Sequence, residues 1–139
     1  MKKIVIDSTV IIKWLNRNNE LNIDQADKIL GDVYAGKITL FTPELAKVEV
    51  GNVLLLGKKL SQTESKTPLS LLFDLPIQFV IQSQELSKES FAIASAYGLS
   101  FSESVFLAVA EQKGATLLTE NINPKALATG AKILALKDY

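Results

Sequence analysis

The sequence predicts an α/β fold, a three-layer α/β/α sandwich around a central, mostly parallel sheet. Short runs rich in β-branched residues alternate with longer segments of helical periodicity along the 139 residues, and this alternation is typical of a parallel sheet covered by helices. The first of these runs is continuously apolar over residues 4–6, as expected for a strand buried on both faces. Because domains are typically about 100–200 residues long, we expect one domain covering residues 1–139.

Five apolar runs are expected to form the strands of this sheet. The first of them, KIVID, is rich in β-branched residues and ends in an acid, Asp7. Such a short apolar run fits a buried strand better than a helix. The predicted strands cover residues 3–7, 37–41, 77–82, 115–119 and 131–136.

The segments between the runs carry helix signals. Ser8 or Thr9 can cap the first helix, and the stretch TPEL, with Thr42 as the cap and Pro43 in the first turn, predicts a helix that runs to about residue 60. The stretch SQTE is a capping-box pattern for the following helix, which Pro68 would break or delay. The other helices are expected at residues 8–18, 23–36, 86–98 and 99–114, with one helical turn between 120 and 130.

The composition restricts the chemistry. The sequence contains no Cys and no His, which excludes disulfides, thiol chemistry, Ser–His triads and typical zinc sites. Lys+Arg and Asp+Glu are both 15, so nucleic-acid binding would need a local basic patch. A bound metal would have hard oxygen ligands, which favours Mg²⁺ or Mn²⁺.

The N-terminus resembles a signal peptide only faintly. Asp7 and Lys13 interrupt its apolar run, and no small-residue cleavage site follows. No apolar stretch approaches the roughly 18–20 residues that span a bilayer. We therefore expect a cytoplasmic protein that does not associate with a membrane.

Polar residues follow two of the predicted strands. Asp7 ends the first strand, and Thr119, Glu120 and Asn121 end the fourth. In open parallel sheets, ligands bind at the carboxyl ends of the strands. These residues are therefore the first candidates for a functional site.

Two further acids lie on predicted helices. Glu49 and Asn52 are one turn apart on a face that is otherwise apolar, where a lone charge is very costly to bury and a metal ion would be a suitable partner. Glu103 lies in the first turn of a helix that is apolar all round over residues 105–110. That position directs it toward one end of the sheet.

Each candidate also has a purely structural interpretation. Asp7 can cap a helix, Glu49 can be a partly exposed acid, and Glu103 with Ser100 matches a capping box. Asn121 is typical of a turn and Thr119 of a strand. The functional interpretation therefore depends on the joint order and spacing of these residues.

The order of the first motifs resembles the PIN-domain family, especially VapC-type toxins, and the resemblance covers essentially the whole chain. The family opens with a strand that ends in Asp, followed by Ser or Thr two residues later; here VIDST supplies Asp7 and Thr9. It then has a helix carrying Glu and, three residues on, Asn; here EVGN supplies Glu49 and Asn52.

The later two motifs match by context and depart in identity. Glu103 stands where the family carries Asp, and the stretch TEN supplies Thr119 and Asn121 where the family has Thr-x-Asp. The family's four carboxylates thus become three carboxylates and one amide.

The resemblance implies a Mg²⁺- or Mn²⁺-dependent endoribonuclease that hydrolyses RNA phosphodiester bonds as the toxin of a toxin–antitoxin pair. It implies a homodimer and a small antitoxin as partners. The implied catalytic residues are Asp7, Glu49, Glu103 and Asn121. The first three would hold the metal, and Thr9, Asn52 and Thr119 would orient the ligands. Four basic residues flank the motifs as candidate phosphate contacts or as ordinary solvated surface: Lys13, Arg17, Lys47 and Lys125.

Two alternatives stay open at this stage. Because Glu103 and Asn121 replace Asp, the chain could be a weakened PIN domain that binds RNA or a partner without cutting. It could also be a phosphatase or phospho-acceptor with Asp7 as nucleophile, although haloacid-dehalogenase-like sites carry a second Asp where this chain has Thr9.

Overall fold

The computed structural model describes all 139 residues and has a five-stranded sheet at its centre. The strand order is β3-β2-β1-β4-β5, and every neighbouring pair is parallel. The predicted α/β class is confirmed, and the sheet is entirely parallel. The strands are β1 Lys2–Ile6, β2 Ile38–Pro43, β3 Ile77–Val80, β4 Thr116–Thr119 and β5 Ile133–Ala135.

Seven α-helices connect and flank the strands. They are α1 Ser8–Leu15, α2 Ile23–Tyr34, α3 Leu45–Asn52, α4 Gln62–Asp74, α5 Gln84–Tyr97, α6 Phe101–Lys113 and α7 Pro124–Leu127. A π-helical segment, Val53–Gly57, continues α3, and a 3₁₀ turn, Leu136–Asp138, follows β5. No single helix is long and apolar enough to cross a membrane; only α5 and α6 taken together meet that length and composition, and they are bent by 116° at their junction.

The central strand β1 explains the continuous apolar run at the start of the sequence. Val5 lies between Phe41 of β2 and Leu117 of β4, and it is fully buried. On both faces the strand meets helices, and 30 buried residues form one hydrophobic core. A strand buried on both faces needs apolar side chains at successive positions, which is why KIVI does not alternate with polar residues.

The start of α3 differs from the prediction. Thr42 and Pro43 continue β2, where they pair with Phe79 and Val80 of β3. The Thr42 hydroxyl donates to the carbonyl oxygen of Ile6 across 2.7 Å, so this buried residue is bonded to β1 instead of capping a helix. Helix α3 therefore begins at Leu45.

Helix α4 begins as predicted but is not broken by its proline. The Ser61 side chain accepts from the Glu64 N–H, and the Glu64 side chain accepts from the Ser61 N–H, which completes the capping box. Pro68 lies inside the helix. Pro68 and Leu72 are both buried, and this packing offsets the backbone hydrogen bond that proline cannot donate.

The strand order positions the functional site. The chain passes from β1 outward to β2 and β3 and then returns to the other side of β1 to form β4 and β5. The order reverses between β1 and β4, and a crevice opens at such a switch point beyond the carboxyl ends of the strands. Asp7 directly follows β1, and Asn121 lies two residues after the end of β4.

Candidate metal site

Asp7 lies partly buried between the end of β1 and the start of α1. It is the N-cap of α1, and its Oδ1 accepts from the Thr9 N–H at 3.1 Å and from the Thr9 hydroxyl at 2.5 Å. Its Oδ2 accepts from the Thr119 hydroxyl at 2.5 Å. The carboxylate therefore caps the helix, and each of its oxygens accepts a hydrogen bond from a threonine hydroxyl. The interpretation of Asp7 as a helix cap is thus compatible with its interpretation as a site residue.

The charge on Asp7 has no cationic partner in the protein. None of the ion pairs involves Asp7. Burial raises the pKa of Asp7 above its ordinary value, although the hydrogen bonds from Thr119 and Thr9 act in the opposite direction. A positive charge in the cavity would favour the ionised form.

Glu49 on α3 faces the same place. Its Oε1 accepts from the Ser8 hydroxyl at 3.2 Å. Burial raises the pKa of Glu49, the bond from Ser8 lowers it, and the charge on Asp7 raises it further. The two carboxylates are thus close enough to repel each other. The sequence did not identify Ser8 as a partner of Glu49, because Ser8 was already explained as a candidate cap of the first helix.

Glu103 is exposed at the start of α6, and half of its predicted capping box is present. The Ser100 hydroxyl accepts from the Glu103 N–H at 3.0 Å. The Glu103 side chain instead accepts from Asn123 Nδ2, with Oε2 at 2.8 Å. Asn123, which also caps α7, was not identified from the sequence because an Asn-Pro pair is typical of a turn.

One cavity of about 290 Å³ brings the predicted catalytic residues together. Its lining includes Asp7, Glu49, Glu103 and Asn121, and no Lys or Arg is among the lining residues. The phosphatase alternative would need a second acid two residues after Asp7, where this chain has Thr9, whose hydroxyl donates to the Asp7 carboxylate. Three acids without a cation instead match what a divalent metal ion neutralises.

The donor set fits Mg²⁺ or Mn²⁺ in chemistry. Both ions prefer oxygen ligands, and Mg²⁺ typically keeps several waters and takes one or two carboxylates. The three acidic side chains line one cavity, but they are not drawn into a group that would hold an ion between them as they stand. This arrangement suits an ion that keeps part of its water shell.

Of the three residues that were expected to orient the metal ligands, two contact a predicted ligand. Thr9 and Thr119 both bond to Asp7. Asn52 is exposed at the end of α3 and does not line the cavity. Helix α3 thus directs Glu49, but not Asn52, into the site.

The predicted phosphate contacts have different surroundings. Lys13 is only 2% exposed and forms ion pairs with Glu20 and Glu120, so it is not the surface contact that we predicted. The other basic residues lie nearer to solvent. Arg17 pairs with Asp27 at 2.7 Å, Lys47 pairs with Glu44 at 2.8 Å, and Lys125 Nζ lies 3.5 Å from the carbonyl oxygen of Gly98.

Comparison with solved structures agrees with this fold. The chain is similar to PAE2754 from Pyrobaculum aerophilum, with 18% identity, a TM-score of 0.67 and coverage of 99% of this chain and 91% of that chain. It is similar to VapC20 of Mycobacterium tuberculosis, a sarcin-ricin loop cleaving toxin, with 14% identity, a TM-score of 0.66 and coverage of 92% and 95%.

A third similar structure is the DNA-bound VapBC of Salmonella typhimurium. It has 12% identity to this chain and a TM-score of 0.68, and the match covers 98% of this chain and 99% of that chain. At these identities the likeness shows a shared fold. No curated protein sequence matches the chain.

The sequence itself matches a family model. The model of the PIN domain aligns with residues 4–129, which contain the end of β1, the whole of β4 and every acid that lines the cavity. The all-parallel sheet, the acids beyond β1 and the match over most of the chain lead to the same conclusion. This protein belongs to the PIN-domain family.

Proposed function

We propose that this protein is a Mg²⁺- or Mn²⁺-dependent endoribonuclease, acting as the toxin of a toxin–antitoxin pair. The observation that carries the proposal is the cavity at the carboxyl ends of β1 and β4, which is lined by three carboxylates and two amides, Asn121 and Asn123, and by no basic residue. Membership of the PIN-domain family and the fold shared with VapC toxins support it.

Asp7, Glu49 and Glu103 would hold the ion, with the amide oxygen of Asn121 beside them. When bound, the ion supplies a Lewis acid that neutralises charge on the phosphate and activates water. Asn121 brings no negative charge, so we expect weaker metal binding than at a site with four acids. The same replacement favours one ion over two.

The protein's own residues prepare the carboxylates for this role. Thr9 and Thr119 bond to opposite oxygens of Asp7, which fixes the orientation of the carboxylate. Ser8 holds one oxygen of Glu49. Burial and the charge on Asp7 both raise the pKa of Glu49, and a positive charge in the cavity would favour its ionised form.

A cleavage assay tests the proposal. A labelled single-stranded RNA is incubated with the protein and Mn²⁺ or Mg²⁺, beside the variant Asp7→Ala. The control Asp27→Ala removes an exposed acid that pairs with Arg17 and lies outside the cavity. We expect cleavage by the wild type and by the control, and none by Asp7→Ala or in the presence of EDTA. Cleavage that persists unchanged in Asp7→Ala would contradict the assignment.

The second candidate function is RNA or partner binding without cleavage. It is favoured by Asn121, which supplies a neutral amide where a fourth carboxylate would bring negative charge to the cavity. The same labelled RNA distinguishes the two functions when it is examined by gel shift. Retention of intact RNA at millimolar Mn²⁺ would indicate a binding module.

We also propose a second copy of this chain and a small antitoxin as partners. Several apolar side chains on the π-helical segment and on α4 are exposed to solvent, and exposed apolar side chains in numbers are typical of interaction surfaces. They include Leu55 at 62%, Leu56 at 69% and Phe73 at 65% exposure. Light scattering after size exclusion, on wild type and on Leu56→Lys, tests the dimer. A monomeric wild type at micromolar concentration would contradict it.

A further inference from the structure

A buried ion pair lies directly behind the metal site. Lys13 on α1 is 2% exposed, and its Nζ lies 3.1 Å from Glu120 Oε2 and 3.0 Å from Glu20 Oε1. Lys58 holds the other side of Glu20, with Nζ at 2.6 Å from Oε2. A buried ion pair contributes little net stability, because desolvation offsets the attraction. We therefore ask which part of the structure the ion pair between Lys13 and Glu120 holds in position.

Glu120 is the residue on which this geometry depends. It stands between Thr119, which bonds to Asp7, and Asn121, which lines the cavity. Its side chain points away from the cavity to Lys13, and its Oε1 accepts from Asn22 Nδ2 at 3.2 Å. The turn formed by residues 119–121 is thus fastened to α1 and to the segment before α2.

A continuous path of hydrogen bonds joins this turn to Asp7. The backbone N–H of Glu120 donates to Thr9 Oγ1 at 3.1 Å. Because the Thr9 oxygen accepts this bond, its single O–H is free to be directed to Asp7 Oδ1, 2.5 Å away. Thr119, in the same turn, donates to the other oxygen of Asp7. Of the three hydrogen bonds that the carboxylate accepts, the two from hydroxyl groups therefore depend on the position of the turn.

We propose that Lys13 and Glu120 are positioning residues, which hold the 119–121 turn against α1 and thereby fix Asp7 and Asn121 for a divalent cation. Lys13 thus acts from behind the site instead of touching the phosphate. The effect on a divalent cation rests on the proposed metal-dependent function. The positioning of the turn can be measured without any reaction.

The test compares three variants of the full chain. Lys13→Met and Glu120→Ala remove the pair from either side. The matched control, Lys58→Met, removes the other lysine on Glu20 and leaves the contact between Lys13 and Glu120 in place. Two properties are measured: hydrogen exchange of the Glu120 amide by NMR, and the Mn²⁺ dissociation constant by calorimetry.

We expect faster exchange of the Glu120 amide in both pair variants, with the amide of Ile6 in β1 unchanged. Loss of outer partners typically weakens metal binding about 10–100-fold, and we expect a value near the lower end, about tenfold. Lys58→Met should match the wild type in both properties. Lys13→Arg, which keeps the charge, should restore most of the protection.

The proposal is overturned if the Glu120 amide exchanges in both pair variants as slowly as in the wild type. If Lys13→Met fails to fold, Glu120→Ala decides, because it truncates one side chain of the turn and leaves Lys13 paired with Glu20. A wild-type chain that binds no Mn²⁺ contradicts the proposed function instead, and amide exchange then decides the positioning role alone.

Discussion

The hydroxyl of Thr119 donates to Oδ2 of Asp7 at 2.5 Å, and the two residues are 112 positions apart in the chain. This bond joins the end of β4 to the end of β1, the two strands between which the sheet order reverses. It also places a hydroxyl on the one oxygen of Asp7 that Thr9 does not contact. The orientation of the proposed metal ligand therefore depends on a residue from the last third of the sequence.

Replacing Thr119 by Val should weaken metal binding and cleavage by about 10–100-fold, because it removes an outer partner of a ligand without changing side-chain shape. It should also destabilise the fold by about 1–3 kcal/mol, since a partly buried oxygen loses its donor. Calorimetry with Mn²⁺ and thermal unfolding measure both effects. Thr119→Ser keeps the hydroxyl and should behave much like the wild type; equal defects in both variants would contradict the role of the bond.

Replacing Asp7 by Asn should stabilise the metal-free protein at neutral pH. The pKa of Asp7 is raised by burial above its ordinary value of 3.8, so the folded state loses stability as the pH rises above 3.8, and the loss is complete once the pH exceeds the folded pKa. Below pH 3.8 the group is protonated in both the folded and the unfolded chain, and the effect disappears. Asn also caps a helix about as well as Asp does.

Thermal unfolding at several pH values in EDTA measures this effect. The Tm of Asp7→Asn should exceed that of the wild type at pH 7, and the difference should shrink as the pH falls toward 3. Adding Mn²⁺ should raise the Tm of the wild type and leave the variant unchanged. A Tm difference that is independent of pH would show that the charge of Asp7 is not its cause.

Replacing Asn121 by Asp should bring the site to four carboxylates. Without metal, the added negative charge should lower the Tm through repulsion in a cavity that already holds three acids. With Mn²⁺, the dissociation constant should fall several-fold, because affinity rises with the charge of the ligands. Calorimetry and thermal unfolding with and without Mn²⁺ measure the two opposite effects. Unchanged Mn²⁺ affinity would place residue 121 outside the metal site.

Replacing Glu103 by Gln should lower Mn²⁺ affinity and cleavage together, because it removes one of three negative charges from the cavity. The matched control is Glu85→Gln, which changes an acid in the first turn of α5 outside the cavity. Both variants lose the same favourable interaction with a helix N-terminus, so their stabilities should change alike. A defect of equal size in the control would assign Glu103 a structural role only.

Periodicity and apolar runs were sufficient to predict the fold, because the buried strands and the amphipathic helices leave local patterns. Strand β1 and the capping box of α4 are examples. The predicted start of α3 was wrong because Thr42 and Pro43 have the residue types of a helix start. In the structure they pair with β3, which is distant in the sequence. Local propensity cannot represent that competition.

The site was predictable to the extent that the order of its acids resembles a known family, and the structure brings all four predicted catalytic residues to one cavity. The partners of these residues were less accessible to sequence reasoning. Lys13 was expected at the surface, yet it pairs with Glu120 across the fold. The sequence around Lys13 does not indicate its burial, because one of its two partners, Glu120, follows the distant strand β4.

Two of the acids in the cavity lie at helix N-termini: Asp7 caps α1, and Glu103 is in the first turn of α6. The positive end of a helix dipole offsets part of a nearby negative charge. The acids are therefore tolerated while the cavity holds only water. We expect chelators to abolish the proposed RNA cleavage and leave the protein folded, unlike small zinc domains, which unfold when their metal is removed. Changes in the concentration of free metal ions would then switch the proposed activity on and off without refolding of the chain.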